Sequence, residues 1–537
     1  MLPTLFDNCK YITISPLFLS ASAVLLIAYV VRAILDRPSK LDFPTVGSAN
    51  DVDCRAALIE GSAKYPHTPF IIPTSPPTLI LPLSTHSEVR NLPENKASFA
   101  EVMRRMFHAK YTGMGNDSPA MIKAVKLDLT RHVASTMDAL QDEMRYALDQ
   151  ELGTCEDWTK VVLYQKLLRI VALLSGRIFV GRPLSRSEHW ITSSIRYTVD
   201  CVAAKERVIK YPAWIRYLAV PFLPEIRRVN EHKVKGAKLL KPIVDRCITL
   251  FREGKVVEGD EGEEFDDQQG SFVSWVMKWT DAKNREDPLV LAQNQLTLSF
   301  AAIHTTTMAS THALLDLTSH PEYMAPLREE IEQVITEDGY DIDGSGKKNL
   351  KKHSFAKLKK LDSFLKESQR FSPSGLVSNL RLTTSPLHLS TGHTIPAGVR
   401  IGYNLYQINS TDPKVSPIPD PPSTAPSLDS PSTFSPFRWS SLRSIPGNES
   451  KYQFVSTSKE AMNFGHGNHA CPGRFFADAE LKVVMVELLT NWDIRLVGDE
   501  MGSGGKRPAN FVFEATIAAN PRAEVELRRR KVQGKGE

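Results

Sequence analysis

The sequence predicts a mainly α-helical fold with a smaller β portion, preceded by a helix that spans a membrane. Three observations indicate this class. Apolar residues recur every three or four positions through the central region, as they do on the buried face of a helix. Alternating segments with turn residues, which are typical of β-hairpins, begin only after Arg370. A run without any charged residue stands near the N-terminus, at 11–31.

The composition favours one large folded domain. Hydrophobic residues make up 42% of the 537 residues, which is enough for a substantial core. Lys and Arg number 66 against 61 Asp and Glu, so the charge balance gives no reason to expect a nucleic-acid partner. The six cysteines lack the paired spacing of zinc sites and disulfide-rich domains. We therefore divide the chain into an anchor at 1–36, a globular domain at 37–530 and a basic tail at 531–537.

The apolar run at 11–31 is the first predicted element. A helix needs about 20 mostly apolar residues to cross a membrane, whereas the apolar part of a cleaved signal peptide has only about 7–15. Lys10 and Arg32 bracket the run, and Arg32, Arg37 and Lys40 follow it. This excess of positive charge favours a single-pass topology with the globular domain in the cytosol.

The longest predicted helix begins at Asp287-Pro288. An acidic cap followed by proline at the first helical position is typical of a helix start. The apolar pattern continues to about Leu317, and His320-Pro321 ends it. Roughly 30 residues correspond to about 45 Å, enough to cross a whole domain. A second helix is predicted from Pro321, with these apolar residues on one face: Met324, Leu327, Ile331 and Ile335.

The C-terminal third predicts hairpins, a loop and a last helix. Segment 387–402 alternates and turns at Gly392 and Gly398, as hairpins do. The Pro- and Ser-rich segment 411–433 cannot pack as a regular element and is predicted to be a surface loop or a gene-model error. A helix is predicted to start at Pro472.

The segment NFGHGNHACPGRFFA at 463–477 carries the clearest chemistry. Its glycines allow tight turns and a close approach to a flat cofactor. Cys471 precedes the predicted last helix, whose positive end and free N–H groups would stabilise a thiolate, the form that binds metal. A lone cysteine is more often a buried small hydrophobic residue. The surrounding residues decide between these interpretations.

This segment resembles the haem-binding signature of the cytochrome P-450 family, F-x-x-G-x-x-x-C-x-G. Phe464, Gly467, Cys471 and Gly473 match it in full. The resemblance covers about residues 40–530 and is strongest in the C-terminal half. It implies the cytochrome P-450 fold and haem b, with Cys471 as the metal ligand that pushes electron density onto the iron. His469 stands where many members place an arginine against a haem propionate.

Three further residues resemble the structural core of that family. Glu367 and Arg370 are three apart, so they share one face of a predicted helix. Such a pair is usually only a surface contact, but the family has an E-x-x-R pair about a hundred residues before its cysteine. Arg438, in FSPFRW at 434–439, resembles the third member of a Glu–Arg–Arg network. The resemblance assigns these residues to structure, because buried charges need partners.

The long predicted helix resembles the family's oxygen-activation motif at 300–307. Thr305 matches the threonine that faces the oxygen site and relays protons, although helix threonines often only bond back to a carbonyl. His304 replaces the family's acid, and the sequence leaves open whether it joins the relay. Arg381 is placed as a propionate-binding arginine. The substrate-lining positions implied by the resemblance are Phe300, Ala301, Leu376, Val377 and Phe511.

The resemblance implies a monooxygenase that inserts one atom of O2 into a hydrophobic small molecule, a terpenoid or another secondary metabolite. No nucleotide or flavin motif is present, so an NADPH-dependent flavoprotein reductase in the same endoplasmic-reticulum membrane would supply electrons. Membrane lipid would be a further partner. Three alternatives stay open: a haem-thiolate isomerase or dehydratase, a haem protein for electron transfer or sensing, and a membrane-tethered scaffold without cofactor.

Overall fold

The computed structural model describes Val24 and residues 41–116, 118–253, 271–342, 346–410, 429–502 and 504–530. Most of these residues lie in helices and a minority in strands, so the predicted mainly α class is confirmed. The helices from 55 onward are α1 (Arg55–Lys64), α2 (His86–Val89), α3 (Phe99–Met106), α4 (Ala109–Thr112), α5 (Pro119–Lys123), α6 (Thr130–Glu151), α7 (Leu163–Phe179), α8 (Glu188–Val208), α9 (Arg216–Ala219), α10 (Pro224–Arg252), α11 (Ser271–Trp279), α12 (Pro288–Ser319), α13 (Met324–Asp338), α14 (Lys359–Phe371), α15 (Leu405–Ser410), α16 (Arg438–Arg443) and α17 (Arg474–Asn491).

The strands of the described residues are short. They are β1 (Phe70–Ile72), β2 (Thr78–Ile80), β3 (Ala97–Ser98), β4 (Thr159–Val162), β5 (Tyr340–Ile342), β6 (Lys348–Leu350), β7 (Val377–Thr383), β8 (Leu387–His388), β9 (Thr394–Ile395), β10 (Arg400–Asn404), β11 (Trp492–Leu496), β12 (Phe511–Phe513), β13 (Thr516–Ala518) and β14 (Glu524–Arg529).

The largest sheet has the strand order β1-β2-β10-β7-β3. β10 runs parallel to β2 and antiparallel to β7, with a register shift between Ile401 and Tyr403. A second sheet has the order β11-β14-β4, and the strands β12-β13, β5-β6 and β8-β9 form separate pairs. The predicted hairpin segment 387–402 therefore contributes β8, β9 and β10, and Gly392 and Gly398 turn the chain with φ of 82° and 85°.

Helix α12 is the central element of the helical part. The Asp287 carboxylate accepts a hydrogen bond from the Leu289 N–H at 2.8 Å, and Pro288 is the first helical residue, as predicted. The helix packs against α7, α8, α10, α11, α14 and α17. Because its side chains meet residues from six helices, it is well placed to contribute to a buried site.

Two other helices begin slightly later than predicted. A 3₁₀ turn at Pro321–Tyr323 precedes α13, in which Leu327 and Ile331 are buried. Pro472 lies outside α17, which starts at Arg474 with Gly473 as its cap. Both differences amount to two or three residues and leave the buried faces as predicted.

The predicted single-pass membrane topology is corrected by the structure. Among the residues that the structure describes, no helix is both long enough and apolar enough to cross a membrane. Helix α12 has the length, but polar side chains such as Gln293, Asn294 and Gln295 interrupt it. The run at 11–31 lies outside the described residues except for Val24, as do most of the predicted loop and the tail at 531–537. The structure therefore does not support the predicted endoplasmic-reticulum location or the predicted contact with membrane lipid.

Candidate active site

The loop that carries Cys471 is closed by its own backbone. The Cys471 N–H donates to the Phe464 carbonyl at 2.7 Å. Gly467 has a φ of 84°, and a Cβ at this position would approach the Arg90 carbonyl oxygen to 2.7 Å, so the turn requires glycine. The Phe464 ring packs edge-on against Phe454 at 5.1 Å between centroids. The loop thus has one defined shape.

The sulfur of Cys471 lies at the beginning of α17. Burial raises the pKa of its thiol, whereas hydrogen bonds from the Gly473 and Arg474 N–H groups and the charge of Arg474 lower it. These N–H groups belong to the positive end of a helix, which stabilises a thiolate. Gly473 itself has a φ of −86°, and a Cβ would meet only Val125, at 3.9 Å. Its backbone conformation therefore gives no reason for a glycine here.

Strand β7 holds the loop from the other side, a feature that the sequence did not reveal. The Ser378 hydroxyl donates to the Met462 carbonyl at 2.6 Å, and the Asn379 side-chain oxygen accepts the His466 N–H at 2.9 Å. Asn379 is buried with a φ of 51°, and its side-chain nitrogen lies 3.0 Å from Nε2 of His86. No pattern marks an asparagine that must adopt a left-handed conformation within a strand.

Arg381, two residues farther along β7, is a buried cation. Its guanidinium donates a hydrogen bond to the carbonyl of the preceding Leu380 at 2.7 Å, and among the described residues no carboxylate forms an ion pair with it. Burial lowers its pKa to about 10, although Glu94 and Tyr403 act in the opposite direction. This guanidinium is therefore available for an acidic group of a ligand.

His469 lies close enough to Arg381 that the two charges interact. Burial and then Arg381 lower the pKa of His469. Its Nε2 lies 3.2 Å from the Leu92 carbonyl and its Nδ1 lies 3.1 Å from a Glu94 carboxylate oxygen. Both ring nitrogens therefore contact the segment before α3. The resemblance instead implies that the residue at this position faces a haem propionate.

Helix α12 has one uncovered side within an otherwise buried stretch. Ala301 and Thr305, one turn apart, are exposed, whereas Ile303, Thr306 and Thr307 are buried. The Thr305 hydroxyl donates to the Ala301 carbonyl at 2.6 Å, which is the back-bond common in helices. Its oxygen keeps its lone pairs and can still accept a hydrogen bond from a ligand.

His304 points toward another helix. Its Nε2 lies 3.3 Å from the Ile195 carbonyl on α8, and burial lowers its pKa, so the neutral ring is favoured. The structure therefore places His304 and Thr305 in different surroundings.

A buried carboxyl that the sequence did not single out lies next to Thr306, the residue that follows Thr305 on α12. Glu480 on α17 is fully buried and accepts a hydrogen bond from the Ser175 hydroxyl at 2.7 Å. Burial raises its pKa to about 8, although hydrogen bonds from Ser175 and Thr306 lower it. The neutral carboxyl thus joins α7, α12 and α17.

Glu367, Arg370 and Arg438 are brought together as one buried network. The Arg370 guanidinium donates to both Glu367 oxygens at 2.8 and 2.9 Å, and Arg438 Nε lies 3.3 Å from Oε1. Trp439 Nε1 and the Ser435 N–H also donate to this carboxylate. Both guanidinium groups continue to backbone carbonyls between 409 and 433. The network ties α14 to the segment before the cysteine loop.

The predicted substrate-lining residues fall into two groups. Phe300 packs edge-on against Phe107 at 5.3 Å and lies next to the exposed Ala301. Leu376 is fully buried, and Val377 packs against the same separate cluster. Phe511, on β12, is 55% exposed. Phe300 and Ala301 are therefore neighbours on α12, and the substrate-lining role of all five residues stays a prediction.

The residues around Cys471 fit a haem. A sulfur with two N–H neighbours can ligate its iron. Arg381 is a buried cation that forms no ion pair with a carboxylate of the described residues, which suits the acidic groups of haem. Ala301 and Thr305 leave one side of α12 uncovered, against which a flat ligand can lie. These features come from three different elements, and all three suit the same flat, acidic cofactor.

Comparisons with known proteins agree with this geometry. The family description Cytochrome P450 matches residues 117–502. The cytochrome P450 monooxygenase ascG of Acremonium egyptiacum is 47% identical over 521 residues, which cover 95% of this chain and 96% of that protein. The cytochrome P450 monooxygenase BOA7 of Botryotinia fuckeliana is 40% identical over 95% of this chain and 94% of its own. The cytochrome P450 monooxygenase ataF of Aspergillus terreus is 34% identical over 90% of this chain and 92% of its own.

Proposed function

This chain belongs to the cytochrome P450 family and is a monooxygenase, and from that premise we propose that it oxidises a hydrophobic terpenoid or other secondary metabolite. One oxygen atom of O2 enters the product, and an NADPH-dependent flavoprotein reductase supplies the electrons. The cofactor is haem b, held by Cys471. The names of these relatives state the enzyme class without a substrate, so the substrate proposal depends on the residues of this chain.

The observation that carries the proposal is the environment of the Cys471 sulfur. The Gly473 and Arg474 N–H groups stabilise its thiolate, and the loop geometry leaves the side chain little freedom. A thiolate ligand supports cleavage of the O–O bond, which is the chemistry that a monooxygenase needs. The network of Glu367, Arg370 and Arg438 supports the loop indirectly, through the chain that leads into it.

In the proposed mechanism, residues of this chain hold the cofactor, orient the substrate and transfer protons. Cys471 would bind the iron of the haem, and Arg381 would pair with one of its acidic groups. Haem, when bound, supplies the redox chemistry of O2. Thr305 holds a hydroxyl proton against the Ala301 carbonyl at 2.6 Å and can pass it toward the uncovered side of α12. His304 has its Nε2 3.3 Å from the Ile195 carbonyl, which supports a route that does not include its ring.

The hydrophobic substrate is supported by the side chains near that uncovered side. The Phe107 and Phe300 rings form an apolar wall beside Ala301. Apolar pockets with a few polar groups are typical of small-molecule sites. The separate reductase is supported by the sequence, which carries no flavin or nucleotide motif of its own.

The test is turnover of haem-loaded protein with ¹⁸O2, NADPH, a flavoprotein reductase and a panel of terpenoids and other hydrophobic metabolites. We expect products with one ¹⁸O atom, formed only with NADPH and reductase. For Thr305→Ala, we expect product per NADPH consumed to fall about tenfold or more, because proton delivery is impaired. The matched control is Thr311→Ala, since Thr311 makes the same back-bond on the same helix but is fully buried.

Two outcomes would contradict the proposal. Product that forms without NADPH would favour an isomerase or dehydratase, and oxygen derived from water would exclude monooxygenation. Unchanged coupling in Thr305→Ala would refute the assigned role of that hydroxyl.

A further inference from the structure

Lys233, on α10, is a half-buried cation near the N-terminal part of α12. Its ammonium group lies against Gly113, where a side chain larger than hydrogen would collide with it. Gln293 Oε1 reaches the same spot, 2.8 Å from the position that a Gly113 Cβ would take. Gly113 has a φ of 78°, so both the backbone conformation and the space there depend on glycine.

The groups around this ammonium form a polar cluster between α8, α10 and α12. Gln293 Nε2 donates to the Tyr197 hydroxyl at 2.7 Å and lies 3.0 Å from Thr297 Oγ1. Tyr197 is fully buried and also bonds to the Cys201 thiol. Because the Gln293 N–H groups already have partners, the orientation of its side-chain oxygen toward Lys233 is fixed.

The Lys233 ammonium has no negative partner in the part of the chain that the structure describes. No described acceptor takes a hydrogen bond from its Nζ, and burial lowers its pKa. Burial also raises the pKa of the neighbouring Cys201 thiol to about 12, so this group is neutral. Asp200, on the facing helix α8, is already bound by Arg228 at 3.1 Å and His232 at 2.8 Å. A partly desolvated cation is therefore left without a charged partner among the described residues.

This polar cluster lies on the same side of α12 as the uncovered residues. Gln293, Thr297 and Phe300 are only partly buried and lead along the helix to the exposed Ala301 and Thr305. Along the axis of α12, Phe300 lies about 10 Å and Thr305 about 18 Å from Gln293, at 1.5 Å per residue. A molecule extended along the helix could reach both ends.

We propose that Lys233, with Gln293 and Gly113 beside it, binds an anionic oxygen group of the substrate, a carboxylate or a phenolate, while the apolar body extends along α12 toward Thr305. This proposal rests on the proposed function and adds a substrate class to it: amphiphiles with one acidic end. The distance between the anchor and Thr305 then selects which carbon is oxidised.

The test measures charge preference in binding by ferric, haem-loaded protein. Matched pairs with the same skeleton are titrated, dodecanoate against dodecanol and 4-phenylbutyrate against 4-phenylbutanol, with haem absorption and calorimetry as separate readouts. We expect the wild type to bind at least one acid about tenfold more tightly than its alcohol. Lys233→Gln should lose this preference, and Lys233→Arg should keep it. The control is Lys235→Gln, which removes an exposed lysine of the same helix and should keep the preference.

Two binding results would contradict the proposed role of Lys233. Equal affinity for acid and alcohol in every wild-type pair would overturn the proposal and would identify Lys233 as a lysine whose stem is buried and whose charge is solvated. A preference that survives in Lys233→Gln would overturn it as well. Equilibrium binding needs neither NADPH nor reductase, so a failure of the proposed turnover would be recognised separately.

Discussion

Asn379 shows how much of the site depends on single residues in unusual conformations. Its amide joins the His466 backbone to the His86 ring, and it adopts a φ of 51° to do so. The cysteine and its glycines could be predicted from the sequence because their spacing is dictated by the loop. The partners Asn379 and Ser378 could not, since they meet the loop only through the fold.

The His86 side chain beneath Asn379 predicts a pH dependence of stability. Burial, and then His466 and Arg90, lower the pKa of His86 from 6.5 to about 4. Between these values the unfolded chain binds a proton that the folded protein does not. The free energy of unfolding should therefore fall as the pH is lowered from 6.5 to 4.

For His86→Gln, we expect the free energy of unfolding to fall by about 1–2 kcal/mol less over this pH range. A shift of one pKa unit corresponds to about 1.4 kcal/mol, and solvent screening reduces this value. Glutamine can still accept a hydrogen bond from Asn379. Urea unfolding at several pH values measures the effect, with the exposed His388→Gln as control. An identical pH dependence in wild type and His86→Gln would contradict the assignment.

At the scale of elements, the helices were predictable and their connections were not. The cap at Asp287, the proline after it and the apolar spacing placed α12 to within two residues at its end. The same spacing could not show that α12 has one uncovered side at Ala301 and Thr305, because this depends on what packs against it. Leu376 is a similar case: its complete burial depends on the residues of a separate apolar cluster, which its own position in the sequence does not show, and its substrate-lining role stays a prediction.

The network of Glu367, Arg370 and Arg438, which joins α14 to α16, gives a prediction at this scale. Removing one partner from a buried ion pair costs about 3–5 kcal/mol. In Arg370→Ala, Glu367 would lose its two shortest contacts with a guanidinium and keep only the longer contact with Arg438. Arg370→Ala should therefore lower the free energy of unfolding by about that amount and yield little haem-loaded protein. The measurement is chemical unfolding together with the haem content of purified protein.

The control replaces one member of an exposed pair. Lys241 and Asp245 form an ion pair on the surface of α10, and such pairs contribute about 0–1 kcal/mol. Lys241→Ala should therefore leave stability and haem content almost unchanged. If Arg370→Ala behaved like Lys241→Ala, the structural role of the network would be wrong.

For the whole molecule, the site depends on distant parts of the chain meeting around one cysteine. Residue 90 lies against the loop at Gly467, β7 supports the loop at Asn379, and Glu480 links α17 to α7 and α12. The class of fold and the cofactor loop could be predicted because each is encoded locally. The predicted membrane topology was not confirmed. It was inferred from a run that lies outside the described residues apart from Val24, and no described helix could cross a membrane.

The central claim, that the Cys471 sulfur binds haem iron as a thiolate, is tested most directly by one spectrum. Folded protein supplied with haem is reduced, treated with carbon monoxide and compared with the untreated sample. The account predicts the red-shifted absorption band that is characteristic of a thiolate ligand, and its loss in Cys471→Ser. A band in the position typical of a neutral ligand, or the same spectrum in the variant, would contradict it.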